Sequence, residues 1–144
     1  MVNFYNTKII AISNQKGGVG KTTSSVNIAA YLAISEAPTL LIDMDPQGNA
    51  TTGVGIRPGT YKNSIYDLMI KKKNIKKTII KTDLQYLDVI PASGKLVGAE
   101  VELVNQYARE KFLKEGLENV LGQYKYIIID SPPSLGLLTL NVLT

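Results

Sequence analysis

Short apolar runs alternate along this chain with stretches whose apolar residues recur every three or four positions. "KIIAIS" (8–13) is rich in β-branched residues and reads as a buried parallel strand. "TTSSVNIAAYLAI" (22–34) follows, with Val26, Ala29, Ala30 and Ala33 at helical spacing. "TLLIDMD" (39–45) predicts a second buried strand that runs out into two aspartates. Pro46, Gly48, Gly53, Gly55, Pro58 and Gly59 make residues 46–63 a long loop. "SIYDLMI" (64–70) predicts a short helix and "LDVIPAS" (87–93) a third strand. Residues 98–121 predict one long helix, with Val101, Val104, Ala108 and Phe112 as its buried stripe and Gly98 and Gly122 at its ends. "KYIIID" (125–130) is a fourth strand, again ending in aspartate. "SLGLLTLNVL" (134–143) begins another helix.

Strands alternating with helices call for right-handed crossovers, so the expected fold is α/β: a parallel sheet with helices on both faces, as one domain over 1–144. There is no internal repeat, low-complexity tract or linker. The chain stops at "LNVLT", within a helix just begun, and is expected to be the N-terminal part of a longer domain whose sheet is incomplete on the C-terminal side. Ligands of such sheets sit at the carboxyl ends of the strands. The glycine-rich stretch after the first strand, Asp43, Asp45 and Asp130 all fall there.

Composition narrows the chemistry. Of 144 residues, 44% are hydrophobic and 19% charged, an ordinary globular balance. No apolar run approaches the about 20 residues that span a bilayer, and "MVNFYNTKII" lacks the pattern of a secretory signal. A cytoplasmic location is the expectation. Cysteine is absent, which excludes disulfides and thiolate metal sites, and the lack of histidine excludes a histidine general base. The net charge of +4 permits an anionic partner without arguing for one.

The densest chemical signal is "NQKGGVGKTT" (14–23). Glycines let successive backbone N–H groups point inward as an anion nest, and the following helix adds its positive end. Lys16, Gly17, Gly18, Val19, Gly20, Lys21, Thr22 and Thr23 form the expected nucleotide-contacting loop. Lys21 supplies charge to the outer phosphates, and Thr22 a hydroxyl for magnesium. The stretch departs from the common G-x-x-x-x-G-K-[ST] pattern, because Gln15 stands where the first glycine belongs and Lys16 follows it. Lys16 reads either as a solvated loop lysine or as a second phosphate-directed charge. Asp130, at a strand end, reads as a water-mediated magnesium ligand or as a turn aspartate. Asp43 and Asp45 share one strand face, where two like charges are costly without a cation or hydrogen-bonded water between them; the alternative is a pair of strand-end loop carboxylates.

"QKGGVGKTT", "IDMDPQGNAT" (42–51), "GAEVELV" (98–104) and "IIIDSPPSLGLLTLNVL" (127–143) together resemble the ParA family of chromosome and plasmid partition ATPases, across essentially the whole chain. That resemblance implies a P-loop NTPase fold, ATP and Mg²⁺ as ligands, and a switch driven by ATP hydrolysis. It implies that Lys16 reaches across an ATP-bridged homodimer to the partner's nucleotide. Asp45 would position the attacking water and Asp43 support the magnesium shell; Pro132 and Pro133 would lie in a switch segment. The catalytic set so implied is Lys16, Lys21 and Asp45, and the metal set Thr22, Asp43 and Asp130. Implied partners are non-specific DNA and a centromere-binding ParB-type protein, with association to the nucleoid.

Two rival readings share the loop. One is a MinD-like membrane-associated positioning ATPase. The other is a non-catalytic, nucleotide-dependent regulator. The nitrogenase iron protein has a similar loop but needs cysteines that this chain lacks. "KKKNIKKTIIK" (71–81) packs six of the sixteen basic residues into eleven positions and is expected to be a solvated helix end and turn. Contact with DNA phosphates is its alternative reading.

Overall fold

The two most apolar runs lie side by side at the centre of a five-stranded sheet. The computed structural model describes residues 4–144, so the first three residues of the N-terminal stretch lie outside the described residues. The strands are β1 (Lys8–Ile12), β2 (Thr39–Asp43), β3 (Ile80–Lys81), β4 (Leu87–Ile90) and β5 (Tyr126–Asp130). The helices are α1 (Lys21–Ile34), α2 (Asn49–Gly53), α3 (Ile65–Met69), α4 (Leu96–Leu103), α5 (Phe112–Leu117) and α6 (Leu137–Leu143). The strand order is β1-β5-β2-β4-β3, and every neighbouring pair but the last is parallel.

Burial on both faces explains the unbroken apolar runs of β2 and β5. Leu40, Ile42, Ile127 and Ile129 face one core, built with α3, α4, α5 and α6. Leu41, Val89 and Ile128 face the other, beneath α1. Each fully buried Leu or Ile contributes about 1.5–3 kcal/mol, so these central strands anchor the fold. Helix α1 buries Ser25, Ala29 and Ala33, a row of small residues that lets it lie close on the sheet. Its end is set by local chemistry. Glu36 adopts φ 59°, the Glu36 and Ala37 amides donate to the Ala33 and Leu32 carbonyls, and Pro38 blocks continuation.

Four sequence expectations change. First, β1 is parallel but not buried: among the described residues it pairs with β5 alone, and Ile9 is 49% and Ile10 38% exposed. Second, the long loop after β2 contains the short helix α2, with Ala50 and Thr51 buried. Third, the basic stretch holds a 3₁₀ turn (Ile75–Lys77) and β3, which pairs antiparallel with β4, so the sheet is mixed. Lys71 and Lys73 both approach Asp67 of α3, at 3.6 and 3.7 Å.

Fourth, the long helix over 98–121 is broken. Helix α4 ends at Leu103 and α5 begins at Phe112, with Ala108 between them in the left-handed region at φ 51°. The first half of the expected stripe faces outward, with Val101 75% and Val104 53% exposed, while Phe112 packs against the core at the start of α5. Leu96, Ala99 and Leu103 have equivalent helical spacing on the opposite side and are the residues buried. The break lets α4 pack on α6 while α5 packs on α3, where Gly116 allows Leu68 to approach closely.

Candidate functional site

The loop between β1 and α1 takes its shape from its glycines. Gly18 and Gly20 have φ of 70° and 86°, a region that L side chains avoid, so glycine is required there by backbone conformation. Gly20 directly precedes α1 and aims the helix's free amides into the loop. Lys21 folds back so that its Nζ donates to the Lys16 carbonyl at 3.0 Å. The Lys16 amide donates to Asn14 Oδ1 at 2.9 Å.

Strand register brings the carboxylates together. Asp43 and Asp130 are direct neighbours at the ends of β2 and β5. Asp130 is fully buried and accepts two hydroxyls from the first turns of α1: Thr22 Oγ1 at 2.8 Å and Ser25 Oγ at 2.7 Å. Burial pushes its carboxyl above the usual range. The Ser25 and Thr22 hydrogen bonds and the Lys21 charge oppose that rise, and the Asp45 charge adds to it. The end of β5 is tied to both neighbours: the Met44 amide donates to the Asp130 carbonyl, and the Ser131 hydroxyl to the Ile12 carbonyl.

Asp43 has a different environment. One carboxylate oxygen accepts the Asp45 amide at 3.1 Å; the other accepts the Thr51 amide at 2.8 Å and the Thr51 hydroxyl at 2.7 Å. Its exposure is nil. Burial raises its carboxyl to about 6, against these hydrogen bonds, with the Asp130 charge adding to the rise. Both oxygens are engaged by donors of its own loop. Through them Asp43 shapes the turn that carries Asp45. Asp45 in turn accepts the Gln47 amide at 2.9 Å.

Gly17, Gly18, Gly20, Lys21, Thr22 and Thr23 line a surface cavity of ≈ 450 Å³, closed on its other side by Asp45, Gln47, Asn49 and Pro133. Nearly all of the predicted loop is thus gathered on one cavity with Asp45, while Asp130 lies beneath Thr22. Lys16 and Val19 do not line it, and both are exposed. Among the described residues, no cluster of three acidic, histidine or cysteine side chains forms a ready-made metal cage. A hydroxyl beside a carboxylate is a hard-oxygen donor pair, and it fits magnesium, which keeps water and phosphate oxygens as its remaining ligands.

Sequence reasoning missed two contributors. Ser25 stands three residues after Thr22 and so on the same helix face, a signal that helical period could have supplied. Thr51 gave no signal. Its hydroxyl links the Asp43 carboxylate to the Ala92 amide, which donates to it at 3.0 Å from a segment 41 residues away.

The family described as AAA domain matches residues 7–144. The chain is 55% identical over 136 residues to the chromosome partitioning protein ParA of Myxococcus xanthus, covering 94% of this chain and 48% of that protein. It is 55% identical over 137 residues to the sporulation initiation inhibitor protein Soj of Bacillus subtilis, covering 95% and 54%. It therefore spans about half the length of these curated relatives. Among solved structures, cobyrinic acid a,c-diamide synthase from Mycobacterium smegmatis, with bound ATP analogue and magnesium, superposes with a TM-score of 0.91 at 39% identity, over 95% of this chain and 56% of that one. No helix among the described residues is long and apolar enough to cross a membrane. On these matches the chain belongs to the AAA domain family, and its 55%-identical curated relatives are ParA and Soj proteins.

Proposed function

We propose that this chain is the nucleotide-binding part of an ATP-dependent partition ATPase, a switch that binds ATP with Mg²⁺ and hydrolyses it to ADP and phosphate. The observation that carries this reading is the cavity that joins the glycine loop and Lys21 to Asp45, above the Thr22–Asp130 pair. The backbone amides of Gly17 to Lys21 and the Lys21 ammonium hold the phosphates. Lys21 leaves the Lys16 carbonyl to do so. Thr22 and Asp130 would hold the magnesium ion. When bound, the ion neutralises charge on the phosphate oxygens. Asp45 orients the attacking water, held in place by its turn and by Asp43 behind it. Positioning and electrostatics supply most of the rate.

Lys16 acts in trans, toward the nucleotide of a second copy. Its exposed place at the loop entrance, off its own cavity, supports that role. ATP then bridges a homodimer and hydrolysis releases it. Non-specific DNA and a ParB-type centromere-binding protein are the proposed partners, with location on the nucleoid; the M. xanthus relative, a chromosome partitioning protein by name, supports the partition role itself. The test is phosphate release from Mg-ATP by the purified protein, alone and with DNA, beside Lys21→Ala. Turnover that vanishes in the variant supports the reading. Equal phosphate release by both proteins, or none by the wild type, overturns it.

A further inference from the structure

The "GAEVELV" stretch has no part in the chemistry above, yet one of its side chains reaches the segment that closes the cavity. Glu100, on α4, extends to the start of α6, where its Oε1 accepts the Leu138 amide at 3.3 Å. Its carboxylate lies where residue 136 would carry a side chain: a Cβ built on Gly136 falls on the Glu100 carboxyl group. Gly136 has φ −75°, which any residue adopts, so glycine is needed there to make room for Glu100 rather than for backbone freedom. Gly136 is three residues from Pro133, which lines the phosphate-side cavity. Within the same segment the Thr139 hydroxyl donates to the Ser134 carbonyl at 2.7 Å, joining the loop to the first turn of α6.

The far half of α6 is held separately. Asn141 donates to the Arg109 carbonyl at 2.8 Å and accepts the Leu113 amide at 3.1 Å. Losing the Glu100 contact therefore loosens the loop end of α6, where the buried Leu138 and Thr139 remain as anchors, and leaves its other end fixed.

We propose that Glu100 is a positioning residue: its carboxylate, seated over Gly136, clasps the start of α6 and holds the Ser131–Gly136 segment, with Pro133, against the cavity. Its effect on turnover rests on the ATPase reading above; the clasp itself does not. Pro132 and Pro133 make the segment stiff, so a shift at Gly136 passes along it to the cavity instead of being absorbed. A negative group beside the free amides at a helix start is also electrostatically favoured.

The test is a double-mutant cycle on Glu100→Ala and Gly136→Ala, with Glu100→Gln as the conservative variant. Alanine at 136 evicts the carboxylate without touching Glu100, because the colliding group is the flexible end of a side chain. Two quantities are read: amide hydrogen exchange over 131–138 in the nucleotide-free protein, and kcat against nucleotide Kd with Mg-ATP. Each single alanine variant is expected to speed exchange over 131–138 about tenfold and to lower kcat about fivefold, with Kd within about twofold of wild type. The double variant is expected to be no worse than either single. Glu100→Gln, which keeps an acceptor oxygen, stays within about twofold of wild type.

Additive losses in the double variant would overturn the proposal, since the two residues would then act separately. Unchanged exchange would overturn the clasp. Faster exchange with unchanged kcat would reduce Glu100 to a structural contact and overturn its positioning role. A wild-type protein without turnover would sink the ATPase reading instead, and exchange alone would then decide the clasp.

Discussion

Thr22 Oγ1 donates to Asp130 Oδ2 across 2.8 Å, and this one contact joins the first turn of α1 to the end of β5. The phosphate loop and the central sheet are thereby held in register, because Ser25 adds a second hydroxyl to the same buried carboxylate at 2.7 Å. Ser25→Ala removes one of the two hydroxyl donors. The expected cost is about 1–3 kcal/mol in urea unfolding. Asp130→Ala strips the acceptor from both hydroxyls and is expected to cost more than Ser25→Ala, while reducing ATP turnover at least about 100-fold.

Asp43 gives a signed pH dependence. Its folded carboxyl titrates at about 6, raised from 3.8 chiefly by burial. Between these values the folded protein binds more protons at this site than the unfolded chain does. Stability contributed by the site is therefore highest below about pH 4 and falls as pH rises through about 6, by roughly 3 kcal/mol in total. Asp43→Asn removes the titration. The difference in unfolding free energy, wild type minus variant, should decline over this window and be flat above it. A difference that rises with pH would contradict the environment assigned to Asp43.

Thr51 couples two loops through one hydroxyl, donating to Asp43 and accepting from the Ala92 amide. Thr51→Val keeps the shape and removes both bonds, leaving a buried N–H without its partner. A loss of about 2–3 kcal/mol is expected by chemical denaturation, with Thr51→Ser within about 1 kcal/mol of wild type.

Lys16 and Lys21 should separate by assay. Lys21→Ala is expected to weaken binding of a fluorescent ATP analogue by about tenfold or more, because Lys21 lies on the cavity. Lys16→Ala is expected to leave single-site affinity within about threefold, while abolishing ATP-driven pairing in sedimentation and lowering turnover about 100- to 1000-fold. Equal behaviour of the two variants would argue against a trans role for Lys16.

The site was more legible in the sequence than the packing around it. Gly18, Gly20, Lys21 and Thr22 act through backbone conformation and immediate neighbours, and an apolar strand run fixes where Asp43 and Asp130 stand. Such features depend on spacings of a few residues, so they survive in a linear reading. Val101 and Val104 misled because Leu96, just before the expected helix, and Ala99 and Leu103 within it have equally helical spacing. Periodicity states that a helix has an apolar face; when there are two, the partner surface chooses.

By itself the sequence determined most of the alternation of strands and helices, the glycine loop and the placing of Asp43 and Asp130 at strand ends, since each follows from local periodicity and side-chain type; Asp45, expected on the strand, lies in the turn beyond it. Tertiary structure alone decided that the long helix breaks at Ala108, that Asp43 faces inward to Thr51, and that Glu100 sits over Gly136. Those outcomes depend on contacts between residues distant along the chain, where competing burial and hydrogen-bond geometry, not local preference, select the arrangement.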